Sequence, residues 1–199
     1  MTDKYQNKYR IPSARLQNWD YGWNAAYFVT ICTKDMDHCF GKIHDGVMDL
    51  SEIGKIAQTE WLKTPEIRPD MNLELGSSMV MPNHFHGIIT IGENQYNTLI
   101  TDDGRDAMHR VSTTTTTTDT IYKNTFAPQS KNLASIIRGF KSAVTKTARQ
   151  IRPHFAWQPR FHDHIIRDEK SFHAISEYTQ NNPLKWANDK FYSEEKTAI

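Results

Sequence analysis

The stretch that decides the fold is Met81-Pro82-Asn83-His84-Phe85-His86-Gly87-Ile88-Ile89-Thr90-Ile91, in which a short turn leads directly into a strand. Successive side chains of a strand point to opposite faces, so His84 and His86 share one face with Ile88 and Thr90. Neutral imidazole is the commonest metal ligand in proteins, and two rings at this spacing can occupy two positions around one divalent ion. A third ligand has to come from elsewhere in the chain.

A His-x-His pair also occurs in structural and surface positions, and this chain contains nine histidines. A site is identified by its geometry and its partners as well as by its residue types. The pattern alone therefore leaves two interpretations open, a metal site and an ordinary pair of histidines.

The length of 199 residues fits a single domain, 1–199, with a proper hydrophobic core. The formal net charge is +1, but the charge is unevenly distributed along the chain. Such asymmetry indicates a polyanionic partner, although a solvated basic face is the plain alternative. Residues 120–162 contain no Asp or Glu and eight basic residues: Lys123, Lys131, Arg138, Lys141, Lys146, Arg149, Arg152 and Arg160.

Cys32 and Cys39 are the two cysteines, and neither lies in a motif with the ligand spacing of a zinc site. We expect free thiols in a reducing cytoplasm. The N-terminus, Met1-Thr2-Asp3-Lys4-Tyr5, lacks the apolar segment of an export signal, and no apolar run is long enough to span a membrane. We therefore expect a cytoplasmic protein without a membrane partner.

Residues 1–24 are predicted to form a basic N-terminal arm that ends in aromatic residues. Its cations include Lys8, Arg10 and Arg15, and Trp19 begins the aromatic part. Cations bind phosphates and flat rings stack on unpaired bases, so this composition suits single-stranded nucleic acid. A flexible arm without a ligand is the alternative.

Residues 25–33 are rich in β-branched and aromatic side chains and predict the first strand. We interpret the following segment, which contains Gly41 and Gly46, as a loop. Ser51 can then cap a helix that extends to about residue 63.

Residues 72–81 predict a second strand, which Pro82-Asn83 turns back into the histidine strand as an antiparallel pair. Periodicity then disappears over 93–130, where six consecutive threonines mark a low-complexity insertion. We expect this insertion to be mobile without DNA.

Residues 131–151 predict a strongly amphipathic helix with one apolar and one cationic side. Because no acidic residue interrupts the cationic side, it is a candidate for phosphate contacts, although such contacts carry no sequence specificity. The candidate DNA-binding residues of this helix are Arg138, Lys141, Lys146 and Arg149.

A last strand is predicted within 155–167, where Trp157 and Arg160 are further candidates for DNA contacts. A helix over 171–181 and a polar tail over 187–199 follow. The order of the predicted elements matches an α+β fold, a ferredoxin-like antiparallel β-sheet with flanking helices and an added C-terminal helix.

The added helix contains Tyr178 and, four residues later, Asn182, so both lie on one face if the helix extends that far. A tyrosine phenol can serve as a nucleophile. The alternative is structural, because a tyrosine at this spacing from Ile175 is usually part of the core and an Asn before Pro183 usually ends a helix.

The histidine strand resembles the histidine-hydrophobic-histidine (HUH) motif of single-tyrosine transposases, in the form found in the REP-associated tyrosine transposases of bacteria. The segment 178–183, Tyr-Thr-Gln-Asn-Asn-Pro, resembles the Tyr-x-x-x-Asn signature of the same family. The resemblance extends over nearly the whole chain, and the threonine-rich insertion is its clearest departure. Further similar segments are Trp19-Asp20-Tyr21, Tyr27-Phe28-Val29-Thr30, Phe40-Gly41-Lys42-Ile43, Ile136-Ile137-Arg138-Gly139-Phe140-Lys141-Ser142 and the segment 157–164.

The resemblance implies that Tyr178 is the nucleophile and that His84, His86 and Asn182 hold a divalent ion. Ligand preference alone favours zinc, manganese or a similar ion for two imidazoles, whereas the resemblance implies Mg²⁺ or Mn²⁺. It further implies cleavage and rejoining of single-stranded or hairpin DNA through a covalent 5′-phosphotyrosine, without a nucleotide cofactor. A monomer is expected, and a homodimer is the alternative.

The sequence His162-Asp163-His164 is a second candidate for the metal site. Against it, Asp163 would point away from both histidines on a strand. We interpret His162 and His164 as residues near the site or facing DNA. Two other functions stay open: a hairpin-binding protein that keeps the fold without the reaction, and a nickase of the relaxase or replication-initiator type.

Overall fold

The structure, a computed structural model, describes residues 16, 19–98 and 130–192. Within these residues the chain forms six strands: β1 (Ala25–Cys32), β2 (Gly41–His44), β3 (Val47–Leu50), β4 (Leu73–Val80), β5 (His84–Ile91) and β6 (His162–Ile166). It also forms four α-helices: α1 (Glu52–Leu62), α2 (Thr64–Ile67), α3 (Leu133–Ile151) and α4 (Glu169–Asn181). No helix among these residues is long and apolar enough to cross a membrane.

The main sheet has the strand order β4-β5-β1-β6, and every neighbouring pair is antiparallel. The first strand therefore lies in the middle, next to the histidine strand, as in a ferredoxin-like sheet. The predicted fold class, an α+β ferredoxin-like sheet with flanking helices and an added C-terminal helix, is confirmed. Thr30 of β1 pairs with His86 on one side and with His162 on the other.

One face of the sheet is covered by α1 and α3, which enclose the hydrophobic core. Trp61 of α1 lies 4.9 Å from Phe85 and 5.4 Å from Phe140 of α3, measured between ring centroids. The apolar side of α3 is buried, as its periodicity predicts. Alternation along β5 directs Phe85 into this core and both histidines to the opposite face.

The opposite face of the sheet is covered by α4, which packs mainly against β4. Gly76 permits this approach, because a Cβ there would lie 2.9 Å from Ile88 and 3.3 Å from Phe172 of α4. Thr179 is the fully buried residue of the helix. One face of the sheet thus packs against the hydrophobic core, and the other packs against α4 beside the histidines.

Several element boundaries differ from the predictions. The segment with Gly41 and Gly46 is the β2-β3 hairpin, not a loop, and Asp45 and Gly46 both have the positive φ that a type I′ turn requires. The cap by Ser51 is confirmed, since its side chain accepts a hydrogen bond from the Gly54 amide. The third and fourth α-helices begin at other residues than predicted, because Asn132 and Asp168 cap them.

The described residues on either side of the segment 99–129 lie beside one turn of the fold. Asn97 donates a side-chain hydrogen bond to the Gly22 carbonyl, and the Lys131 carbonyl lies 3.0 Å from the position of a Cβ at Gly22. The predicted mobility of 93–130 concerns mainly these undescribed residues. Most of the predicted arm, including Lys8, Arg10 and Arg15, and residues 193–199 also lie outside the described residues.

A substitution at Gly87 tests how tightly the core packs against the histidine strand. A Cβ at this position would lie 2.6 Å from Trp61 and 2.9 Å from Phe85. We expect Gly87→Ala to lower the free energy of unfolding by about 1–3 kcal/mol, because a close-packed core does not accept an added methyl group. Chemical denaturation measures the change, and Glu74→Ala on exposed β4 surface is the control. Equal stability of Gly87→Ala and the original protein would contradict this packing.

Candidate metal and nucleophile site

The two histidines of β5 are buried side by side on the face covered by α4. His84 is 0% and His86 1% exposed, and their Nε2 atoms lie 2.9 Å apart. Such a short separation directs two potential ligand atoms at one small volume. The spacing of the two residues on the strand produces this arrangement without any special backbone conformation.

Neighbouring side chains orient both imidazoles. His84 donates from Nδ1 to the side-chain oxygen of Asn83 at 2.8 Å, because an amide oxygen can only accept. This leaves the lone pair of the neutral ring on Nε2. The Nδ1 atom of His86 lies 2.9 Å from the Thr30 hydroxyl, which can donate or accept. Such outer partners set the tautomer and direction of ligating histidines.

Both rings are neutral at ordinary pH. Burial lowers the pKa of His86 to about 4, and burial followed by the charge of His86 lowers the pKa of His84 well below its usual value. Metal ions compete with protons for the same nitrogen atoms. A low proton affinity therefore leaves each ring with one nitrogen lone pair near pH 7.

Helix α4 places Tyr178 over this pair within the same chain. The ring of Tyr178 lies 5.6 Å from His86 and 6.3 Å from Phe28, measured between centroids. Its side chain is 40% exposed, so the hydroxyl is accessible to a ligand. Burial and the nearby Asp189 carboxylate raise its pKa, and the free protein therefore holds Tyr178 as a phenol.

Asn182 follows one turn later and is 2% exposed. Its amide nitrogen donates to the Asp189 carboxylate at 3.1 Å. Its amide oxygen is buried and has no hydrogen-bond partner among the described residues. A buried oxygen without a partner is costly, and a bound cation would satisfy it.

Asp189 is the site residue that the sequence prediction missed, since we assigned 187–199 to a polar tail. Its carboxylate also accepts the Tyr178 hydroxyl at 3.3 Å. The potential ligand atoms of His84, His86 and Asp189 all lie within 4.8 Å of one another. A signal was present, because the aromatic residues Phe191 and Tyr192 follow the carboxylate in an otherwise polar segment.

The segment after α4 is held against the site by Phe191. Its carbonyl accepts a hydrogen bond from the Asn83 amide at 2.9 Å, and its ring lies 4.9 Å from His84. Its backbone amide donates to Asp189. These contacts place the acidic side chain beside the histidines.

The donor set fits a divalent ion of the kind the resemblance implies. His84, His86 and Asn182 offer two neutral nitrogens and one oxygen without a partner, and Asp189 offers a negative charge nearby. Mixed nitrogen and oxygen donors suit manganese and related ions.

Comparison with known proteins identifies a relative of nearly equal length. An uncharacterized protein of Haemophilus influenzae is 34% identical over 194 residues, which cover 96% of this chain and 99% of that protein. The chain belongs to the same family. No family model matches it.

The fold of this chain is similar to that of a solved REP-associated tyrosine transposase bound to a REP hairpin. The two structures agree with a TM-score of 0.52 at 16% identity, over 95% of this chain and 93% of that one. The resemblance in the sequence is thus confirmed for the fold. A transposase candidate from Deinococcus radiodurans is more distant, with a TM-score of 0.39 at 13% identity over 87% of this chain and 97% of that one.

His162 and His164 of β6 form a second pair of histidines, on the same face of the sheet as His84 and His86. His162 and His164 are exposed, and the ring of His162 lies 6.4 Å from Phe191. Asp163 pairs with Val29, which belongs to the core face, and therefore points away from both histidines. Among the described residues, the cluster suited to a metal contains His84 and His86 rather than this second pair.

Two of the candidate DNA-binding residues have internal partners instead. Lys141 donates to the backbone carbonyls of Gln158 at 2.6 Å and Arg160 at 3.0 Å. The ring of Trp157 is half-buried in an aromatic cluster, and its Nε1 donates to the Lys141 carbonyl. These contacts attach α3 to the segment before β6, and DNA contacts by Lys141 and Trp157 stay a prediction.

The remaining candidates lie nearer to solvent. Arg138, Lys146 and Arg149 of α3 are exposed, although Arg149 also donates to the Phe155 carbonyl. Arg160 is exposed as well. Trp19 is half-buried and donates to the Tyr27 hydroxyl at 3.2 Å. Their contacts with DNA stay a prediction.

Burial of neutral histidines predicts a pH dependence of stability. The folded pKa of His86 lies near 4, below its usual value of about 6.5, so the unfolded chain binds more protons between these values. We expect the free energy of unfolding in EDTA to fall as pH is lowered from about 6.5 to 4, by up to ~1.4 kcal/mol per pH unit for each such histidine. Urea denaturation across this range measures the slope.

The variant His86→Gln should show a shallower slope, because one titrating group is removed. The exposed His173→Gln is the control for loss of a histidine outside the site. An unchanged slope in His86→Gln would contradict the lowered pKa.

Proposed function

We propose that this protein is a metal-dependent tyrosine transposase that cuts and rejoins single-stranded DNA at REP-like hairpins. One observation carries the proposal: the Tyr178 ring lies beside the paired histidines within one chain, and Asn182, whose amide oxygen has no hydrogen-bond partner among the described residues, follows one turn later. The relation in fold to a transposase bound to a REP hairpin supports the choice of substrate.

In this mechanism the Tyr178 oxygen attacks the scissile phosphorus. The bond between the tyrosine oxygen and phosphorus forms while the bond from phosphorus to O3′ breaks, which leaves a 5′-phosphotyrosine. The phenolic proton passes to solvent, and the departing O3′ takes a proton from water. A divalent ion, Mg²⁺ or Mn²⁺, held by His84, His86 and Asn182 would stabilise the charge that grows on the phosphate.

The covalent link preserves the energy of the phosphodiester bond, so rejoining to another strand requires no nucleotide cofactor. All four site residues come from one chain, which favours a monomer. Thr30 and Asn83 keep the imidazoles directed at the site, and Phe28 packs at the edge of the Tyr178 ring. The reaction would take place in the bacterial cytoplasm.

The first test is the formation of a covalent adduct. We expect the protein, mixed with a REP-like hairpin carrying a single-stranded flank and Mn²⁺, to give a protein-DNA adduct that survives denaturation. Tyr178→Phe should abolish it, and a combined His84→Ala and His86→Ala change should lower its rate more than about 100-fold. Denaturing gels with labelled hairpin measure the yield.

Tyr192→Phe is the matched control, because Tyr192 is also exposed and follows Phe191 in the same segment. It should leave the adduct intact. An adduct that persists in Tyr178→Phe would exclude this nucleophile. Binding of the hairpin without any adduct, unchanged by loss of the two histidines and Tyr178, would instead indicate a hairpin-binding protein without the reaction.

The second test separates phosphate contacts from structural contacts on α3. Lys146→Ala should weaken hairpin binding and reduce the slope of log affinity against log salt by about 1, without a change in stability. Lys141→Ala should mainly destabilise the fold, because it removes two hydrogen bonds to backbone carbonyls. Fluorescence anisotropy and thermal unfolding measure the two effects, with the exposed Lys55→Ala as control. Equal salt slopes for Lys146→Ala and Lys55→Ala would contradict the DNA contact.

A further inference from the structure

We propose that Asp189 is a fourth protein ligand of the divalent ion in the DNA-free protein, where it takes the position that the scissile phosphate later occupies. This inference rests on the proposed function of the site. It adds a residue outside the two motifs that carry the resemblance, and it gives the segment after α4 a chemical role.

The first support is the position of the carboxylate. Its Oδ2 accepts hydrogen bonds from the Tyr178 hydroxyl and the Asn182 amide, and a carboxylate oxygen lies within 4.8 Å of the ligand nitrogens of both histidines. Asp189 thus contacts the proposed nucleophile and one proposed ligand, and it lies close to the other two.

The second support is the oxygen of Asn182. This residue is 2% exposed, and its amide oxygen has no hydrogen-bond partner within the described part of the chain. Its amide nitrogen donates to Asp189, so the side chain that carries this oxygen is in direct contact with the carboxylate. A cation there would satisfy both oxygens at once.

The third support is charge. His84, His86 and Asn182 are neutral ligands and leave the two positive charges of the ion uncompensated. A carboxylate supplies one negative charge and a hard oxygen, which magnesium and manganese prefer. Asp189 therefore adds a hard, negatively charged oxygen to a site whose imidazoles alone would favour zinc.

The same geometry makes Asp189 and the phosphate mutually exclusive. An attacking oxygen lies about 3–3.5 Å from the phosphorus atom in a reactive complex. The carboxylate oxygen already lies 3.3 Å from the Tyr178 hydroxyl. Both groups carry anionic oxygens toward the same ion, so the phosphate must displace the carboxylate.

Displacement requires a movement of the segment after α4, which is attached by Phe191 and by the Trp186 ring beside His84. Asp189 is half-buried and follows the 3₁₀ helix Pro183–Asn188. Phe191 supplies the hydrogen bond to Asn83 and the ring contact with His84. Release of these contacts, and of the hydrogen bonds from Tyr178 and Asn182, would free the carboxylate.

The test is Mn²⁺ binding to the free protein, followed by electron paramagnetic resonance of the unbound ion. We expect Asp189→Asn to weaken Mn²⁺ binding about 10- to 100-fold. The substituted side chain keeps an oxygen for the Phe191 amide, and thermal unfolding in EDTA checks that the fold is retained. Glu177→Gln, which removes an equal charge from the exposed side of α4, should bind Mn²⁺ as the original protein does.

The same titration with hairpin DNA bound tests the displacement. In a Tyr178→Phe background, which prevents cleavage, we compare hairpin complexes with and without the Asp189→Asn change. We expect both complexes to bind Mn²⁺ with the same affinity. By linkage, Mn²⁺ should then increase hairpin affinity more strongly in Asp189→Asn than in the protein that keeps Asp189. The ratio of the two increases should equal the factor by which free Asp189→Asn binds Mn²⁺ more weakly.

Equal Mn²⁺ affinity of Asp189→Asn and the original free protein would overturn the proposal. An equal loss of affinity with and without the hairpin would also overturn it, because Asp189 would then stay bound beside the DNA. The free-protein measurement does not depend on strand cleavage. A failed adduct assay with positive Mn²⁺ results would therefore reject the transposase function but not the ligand.

Discussion

Two imidazoles forced together inside the protein are the constraint on which the site depends. Their Nε2 atoms lie 2.9 Å apart, shielded from water on one side by the sheet and on the other by α4 and the Phe191 segment. Burial makes protonation costly and so keeps both rings neutral. A cation that binds there gains two ready ligands and loses little to competition with protons.

The sheet makes this arrangement compatible with a stable fold because its two faces are chemically separate. The core face carries Phe85 against Trp61, while the other face carries the histidines. The buried histidines therefore do not interrupt the hydrophobic core, and the central strands hold them in a rigid position. Precise placement of ligands on strands is what catalysis by metal ions requires.

The sequence predicted the parts of the fold that depend on regular patterns. The histidine strand, the amphipathic helix and the positions of Tyr178 and Asn182 follow from periodicities of two and 3.6 residues. The hairpin with Asp45 and Gly46 was missed although this dipeptide is a known turn signal, because its strands are short and exposed.

Other features depended on contacts between distant residues and could not be read from spacing. Asp189 reaches the histidines only because Phe191 packs over His84, more than a hundred positions away in the chain. Lys141 resembled an exposed cation on a helical wheel, yet its long side chain extends to the carbonyls of Gln158 and Arg160. A pattern identifies the face of a helix but not which loop covers that face.

The turn at Gly22 has a consequence for how such chains can diverge. Asn97 and Lys131 both lie beside it, so the described residues before and after the segment 99–129 are close together in space. The entropic cost of joining two nearby ends rises only logarithmically, by about 0.6 kcal/mol for each doubling of the intervening length. Relatives can therefore gain or lose dozens of residues at this point by insertion or deletion without altering the distance between the imidazoles and the phenol.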